Sequence, residues 1–199
     1  MAKQVLTEGC STIQLNNNRE GEDGALSVPI RGKPVRTATY ESPVGALRLF
    51  ATDKGLCGLA FNKGADKNTL AFECDKRDGS FNHSTADDHL AQAVVQLDEY
   101  FAGERTDFDL TLDVITGTTF QRAVWEALRA IPYGQTRSYG QIAQAVGRPK
   151  ASRAVGGANN KNPIAIIIPC HRVIGASGKL VGFGGGLDVK EQLIELERS

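Results

Sequence analysis

The chain has 199 residues, 41% hydrophobic and 23% charged, and its 23 basic side chains balance 23 acidic ones. That length suits one large domain or two small ones and can bury a core without disulfide or metal staples. No apolar run approaches a membrane span and no signal-peptide h-region opens the chain, so a cytoplasmic protein with no membrane partner is expected.

Residues 1–34 are polar and carry NNNREGEDG, which predicts a disordered N-terminal extension. From 35 to 61, VRTATY, ALRLFAT and LCGLAF alternate with the turn signals SPVG and DKG, the pattern of an antiparallel meander. Cys10, Cys57, Cys74 and Cys170 stand far apart without a CxxC pair, so neither a disulfide framework nor a zinc ribbon is suggested. A mixed set of Cys57, Cys74, His83 and His89 fits no familiar zinc spacing, and cysteine commonly serves as a small buried hydrophobe. An amphipathic helix is predicted over 86–102, with Leu90, Ala93, Val94, Leu97 and Phe101 on one face and Gly103 ending it. The acidic GERTDFDLTLDV reads as a linker or edge segment, and a domain boundary is expected near residue 115.

A second helix is predicted over 118–130, presenting Phe120, Val124, Ala127 and Leu128 and ending before Pro132. Ser138 and Gln141 form a capping-box pattern opening a short helix with Tyr139 and Ile142, which closes at Gly147. RPK predicts a third helix over 149–158 with proline in its first turn. Two short helices across a tight turn resemble a helix-turn-helix. The glycine-rich GASGKLVGFGGG reads as a wing or loop, and Asp188 and Glu191 are expected to cap a last helix running to the C-terminus. Glu197 lies four residues after Leu193 and eight after Val189, on the apolar stripe of that helix. A glutamate there is either frayed into solvent or turned inward, and inward it requires a donor such as an imidazole.

Charge and chemistry concentrate in the second half. Residues 66–113 hold twelve acids and four bases, whereas 119–165 hold seven bases and only Glu126 as an acid. Such a basic region suits a polyanion, although a solvated basic surface would give the same pattern. NPIAIIIPCHRVI drives what reads as an apolar strand into Pro169 and then sets Cys170 beside His171. A free thiol titrates near pH ~8.5, and lowering it to about 7 takes about 2 kcal/mol. A histidine base held by a carboxylate is the usual means. Neighbours on an extended segment face opposite ways, so a relay from Cys170 through a water to His171, and from His171 to Glu197, is the arrangement expected.

With IPCHRVIG, SYGQIA, RPKASRAVGGANNKNP and GGLDVKEQLIELE in this order and spacing, the chain from about 35 to 198 resembles the O6-alkylguanine-DNA alkyltransferases, in their bacterial Ogt-like form. The resemblance implies an α+β protein, with an N-terminal antiparallel-sheet, ribonuclease-H-like domain over 35–114. A C-terminal winged helix-turn-helix domain for DNA binding and alkyl transfer would occupy 115–199. It implies repair of duplex DNA by single-turnover, irreversible transfer of a methyl or alkyl group from guanine O6 to Cys170. His171, Glu197 and Asn162 would be the supporting catalytic residues. Arg153 would fill the stack after the base is flipped out, and Tyr139 would crowd the adjacent phosphate. Lys150, Ala151, Ser152 and Gly156 would meet DNA, with Ala154 and Gly157 also small on the groove side. Phe183 and Gly184 stand where relatives often carry tyrosine and a serine or small residue; Phe183 would cover the base without a hydroxyl, and Gly184 would offer backbone alone. No cofactor is implied, and no metal, because Thr52 and Cys57 occupy positions of two zinc ligands in animal relatives. The partner implied is double-stranded DNA containing O6-alkylguanine, met by a monomer, with cooperativity and O4-alkylthymine left open.

Other classes stay distinguishable. A non-catalytic sensor of alkylated DNA would lack the reactive cysteine, and a multiple-turnover cysteine hydrolase would need an oxyanion hole. A plain helix-turn-helix regulator would leave Cys170, His171 and Glu197 without a task.

Overall fold

The computed structural model describes residues 35–61 and 85–199. The expected N-terminal extension lies outside the described residues, as do Cys10, Cys74 and His83. Strands β1 (Arg36–Ser42), β2 (Gly45–Thr52) and β3 (Gly55–Phe61) form the expected antiparallel meander in the order β1-β2-β3. Alternation buries Ala38, Tyr40, Leu47, Leu49 and Leu59 in the main core, while Val35, Phe50 and Cys57 form a smaller cluster.

Helix α1 (Thr85–Phe101) packs on this sheet through Leu90, Ala93, Val94 and Leu97. The stripe finishes on Tyr100, which is fully buried, rather than on the half-buried Phe101. The acidic segment after α1 pairs with β3: the Leu56 amide donates to Thr111 O at 2.8 Å and the Asp113 amide to Leu56 O at 2.9 Å. Further along the same strand, the Leu59 amide donates to Pro163 O at 2.9 Å and the Ala165 amide to Leu59 O at 3.0 Å. The sheet is therefore tied directly to the segment leading to Cys170.

Helix α2 (Thr119–Arg129) opens on a Thr118–Gln121 capping box and buries Val124, Trp125 and Leu128. The Trp125 indole donates to Ala158 O at 2.9 Å, which fixes α2 against the helix that follows the tight turn. The Ser138–Gln141 capping box forms as its pattern predicts and starts α3 (Tyr139–Ala145). Gly147, at φ 69°, takes the left-handed conformation that ends this helix.

Helix α4 spans Ser152–Asn160, later than expected, because Pro149 is not in its first turn. The Ala151 amide donates to Arg148 O at 2.8 Å, so Pro149 occupies the second position of a β-turn, where its fixed φ is equally suited. Two-residue strands β4 (Arg137–Ser138) and β5 (Val173–Ile174) pair in parallel. The last helix, α5 (Leu187–Leu196), is capped by Gly186 and not by Asp188 and Glu191. Asp188 falls within its first turn, where a negative charge favours the helix dipole.

The apolar run before Cys170 is not a strand. Among the described residues, its one bridge is from Ile164 to Leu59, and the chain then turns within the core with Ile166 at φ 68°. Strand propensity loses here because burial of all of Ile164–Ile168 satisfies the apolar demand in any conformation. The left-handed conformation of a β-branched residue is unfavourable by roughly 1–3 kcal/mol, and the surrounding core has to hold it.

Candidate functional site

Cys170, His171 and Arg172 form one turn of 3-10 helix, in place of the extended segment expected from the sequence. Two asparagines fasten this turn. Asn162 donates to Ile168 O at 2.7 Å and accepts from the Ile164 amide at 3.1 Å, bracing the strained loop from within. Asn159, on α4, donates to Cys170 O at 3.1 Å and links the Cys170 backbone to the helix-turn-helix.

The His171 ring is wholly buried and its Nε2 lies 2.7 Å from Glu197 Oε1. Glu197 thus turns inward at the end of α5, and the imidazole is its partner. It has others. Arg172 donates from Nε to Oε2 at 2.8 Å and from Nη2 to Oε1 at 3.0 Å, while its Nη1 donates to Ile131 O at 2.6 Å. The Tyr100 hydroxyl donates to Oε1 at 2.8 Å and the Gly134 amide to Oε2 at 3.3 Å. Gly134 has φ 72°, and a β-carbon there would stand 2.6 Å from Glu197 O, so this approach requires glycine.

Burial works against the Glu197 charge, but the His171 and Arg172 hydrogen bonds and charges outweigh it and hold the carboxyl at about 2. Burial pushes the His171 value below its usual range, against the pull of Glu197. At neutral pH a neutral imidazole therefore meets an ionised carboxylate. Since that carboxylate only accepts, Nε2 carries the proton and Nδ1 presents a lone pair. Nδ1 is buried and has no hydrogen-bond partner among the described residues.

The Cys170 thiol is 6% exposed, and burial pushes its pKa up despite the Asn162 side chain, the Lys190 charge and nearby backbone amides. Burial therefore favours a neutral thiol over a pre-formed thiolate at the resting sulfur. Lys190 is fully buried on α5 and donates to Val173 O at 2.6 Å and Val181 O at 3.0 Å. Tyr139 is half-buried and its hydroxyl donates to the same Val181 O at 3.2 Å, so the glycine-rich loop is held to α3 and α5 together.

Residues expected at a DNA surface fall on the outside of the same region. Lys150 and Arg153 are exposed, while Ala151 and Ser152 are partly so at the start of α4. Gly156 faces the Tyr139 ring, and a β-carbon there would stand 3.8 Å from it; one at Gly157 would meet none of the described residues within 4 Å. Phe183 packs edge-on against Phe61, with ring centroids 5.4 Å apart, and Gly184 is exposed beside it. Among the described residues, no group of three or more His, Cys, Asp or Glu side chains is placed to hold a metal ion, and no helix is long and apolar enough to cross a membrane. Thr52 bonds instead to Asp113 Oδ2 at 2.7 Å, and Cys57 is buried.

Sequence reasoning missed Arg172, Tyr100, Lys190 and Asn159. Periodicity held a signal for two of them. Tyr100 lies three residues after Leu97, and Lys190 four before Ile194, each on a buried stripe.

Comparison with known proteins agrees with this architecture. Residues 35–114 match the family model of the 6-O-methylguanine DNA methyltransferase ribonuclease-like domain, and 119–199 match that of its DNA-binding domain. A methylated-DNA–protein-cysteine methyltransferase of Methanosarcina acetivorans is 50% identical over 162 residues, 81% of this chain and 97% of that protein. One of Mycolicibacterium paratuberculosis is 53% identical over 160 residues, 80% of this chain and 90% of that protein. Among solved structures, Mycobacterium tuberculosis OGT in complex with DNA superposes with a TM-score of 0.67 at 48% identity, covering 80% of this chain and 91% of that one. The ribonuclease-like and DNA-binding halves, the identity along most of both chains and the shared fold together establish that this chain belongs to the 6-O-methylguanine DNA methyltransferase family.

Proposed function

We propose that this protein repairs DNA by moving a methyl or other alkyl group from guanine O6 to Cys170, once per molecule. The observation that carries the reading is the buried His171–Glu197 pair beside Cys170, under a helix-turn-helix with an exposed basic face. The substrate is duplex DNA containing O6-alkylguanine, met by a monomer in the cytoplasm. The division of labour follows the two matched regions, with a boundary near residue 115.

A stacked base cannot reach the sulfur of a cysteine that is 6% exposed, so the nucleotide has to be flipped, at a cost of a few kcal/mol. Arg153, exposed on α4, fills the vacated place; Tyr139 crowds the phosphate; Lys150, Ala151, Ser152 and Gly156 follow the backbone. Phe183 covers the flipped base, and Gly184 offers it backbone alone. The thiol proton passes through a bridging water to His171 Nδ1, the site left as acceptor because Nε2 donates to Glu197. The sulfur then attacks the alkyl carbon, the carbon–O6 bond breaks with its electron pair going to guanine, and a proton returns to the base. Asn162 holds the loop that aims the sulfur. The product thioether is inert to every base in reach, so the protein is consumed stoichiometrically.

Intact-protein mass spectrometry after incubation with an O6-methylguanine duplex tests this. One methyl added at Cys170, and none in Cys170→Ala, is expected. Unlabelled protein with intact lesion would point to a non-catalytic sensor, and repaired base in excess of protein to a turnover enzyme.

A further inference from the structure

Tyr100 closes the last turn of α1, in the ribonuclease-like half, yet its hydroxyl meets a carboxylate at the other end of the chain. The side chain is fully buried among the rings of Phe101, Phe108 and Tyr133, with centroids 5.2, 5.3 and 6.2 Å away. A phenylalanine would fill that space as well. A buried hydroxyl is costly unless it is bonded, and this one donates to Glu197 Oε1 at 2.8 Å.

The same oxygen accepts from His171 Nε2 at 2.7 Å and Arg172 Nη2 at 3.0 Å. Among the described residues, the donors to Glu197 are His171, Arg172, Gly134 and Tyr100, and Tyr100 is the one contributed by the region 35–114. Burial and the Glu197 charge push the phenol's pKa up, so it keeps the proton that it donates to Glu197. Each hydrogen bond donated to the carboxylate stabilises its charge, so a donor beside His171 lessens the pull of that charge on the imidazole.

We propose that Tyr100 is a positioning residue through which the N-terminal domain orients Glu197 and tempers its pull on His171. The inference rests on the alkyl-transfer reading for its consequence in catalysis, though not for the coupling itself. The charged and titratable groups around the imidazole are Glu197 and Lys190 from α5, and Arg172 and Cys170 from its own turn. Tyr100 from α1 and Tyr133 from the loop after α2 act on Glu197 from the far side. Without the Tyr100 hydroxyl, more of the Glu197 charge falls on His171, and the imidazolium is favoured.

The test is Tyr100→Phe in the full chain, with Tyr40→Phe as control, because Tyr40 donates to Asp98 at 2.8 Å elsewhere on α1. NMR titration of the His171 ring nitrogens should move upward by about half to one pH unit in Y100F and stay put in Y40F. The acid limb of the single-turnover methyl-transfer profile should follow, slowing transfer roughly three- to tenfold below the limb while its alkaline plateau stays within about twofold. An unmoved His171 titration in Y100F, whatever its melting temperature, overturns the proposal. Failure of wild-type protein to acquire a methyl on Cys170 overturns the reading beneath it instead, and the NMR arm still decides the coupling.

Discussion

Replacing Glu197 by Gln removes the charge on which the site converges while keeping its shape. The carboxyl is held at about 2 against an ordinary 4.5, which at about 1.4 kcal/mol per unit corresponds to about 3 kcal/mol of stability. Because the folded value is the lower one, this contribution is complete above pH ~4.5 and disappears as pH falls towards 2. In Glu197→Gln the buried Arg172 guanidinium loses its counter-charge, and the amide sets its own donor against those of Arg172, His171 and Tyr100. Breaking one side of a buried ion pair typically costs about 3–5 kcal/mol. Urea unfolding at pH 7, 5, 4 and 3 should show that loss at pH 7, with the gap to wild type narrowing steadily below pH ~4.5. A Gln variant within about 1 kcal/mol of wild type at pH 7, or one falling as steeply as wild type through the acid window, would refute the electrostatic account.

Arg153→Ala should weaken binding to an O6-methylguanine duplex by about 1–3 kcal/mol in a gel or anisotropy titration, while reaction with free O6-benzylguanine changes less than about twofold. Asn162→Ala removes both hydrogen bonds that brace the loop around Ile166; a stability loss of about 1–3 kcal/mol and slower transfer are expected, and single-turnover kinetics would separate the two. Gly134→Ala drives a β-carbon against Glu197 O and asks alanine to hold φ 72°, so a loss of at least about 2 kcal/mol should appear in thermal unfolding.

How far these features could be read from the chain depended on the distance between partners. The meander, α1 and the first helix of the helix-turn-helix were legible because alternation, a 3.6-residue stripe and the Ser138–Gln141 box act within a few positions, whereas Pro149 misplaced the start of α4 because it serves a turn. Glu197 was legible as a misplaced charge on the stripe of α5. Ile164–Ile168 misled, since a fully buried run gives no alternation by which to tell a strand from a turn. Arg172, Tyr100 and Lys190 were hidden because polar side chains are presumed solvated, and the acceptors that satisfy them lie 25, 97 and 17 residues away. The thiol's resting state was equally out of reach, because motif spacing names a nucleophile without revealing how deeply it is buried.

The outer edge of β3 carries a consequence for how the molecule comes apart. One rim of that strand is bonded to the connecting segment at Leu56 and to the approach to Cys170 at Leu59. Cutting the polypeptide at its midpoint would thus leave a raw ladder on one fragment and orphaned amides on the other. Neither fragment is a ready-made module. Calorimetry on the intact chain should record a single cooperative endotherm, and the separated C-terminal piece should be soft around its sulfur even though Asn162, His171, Lys190 and Glu197 are all present in it.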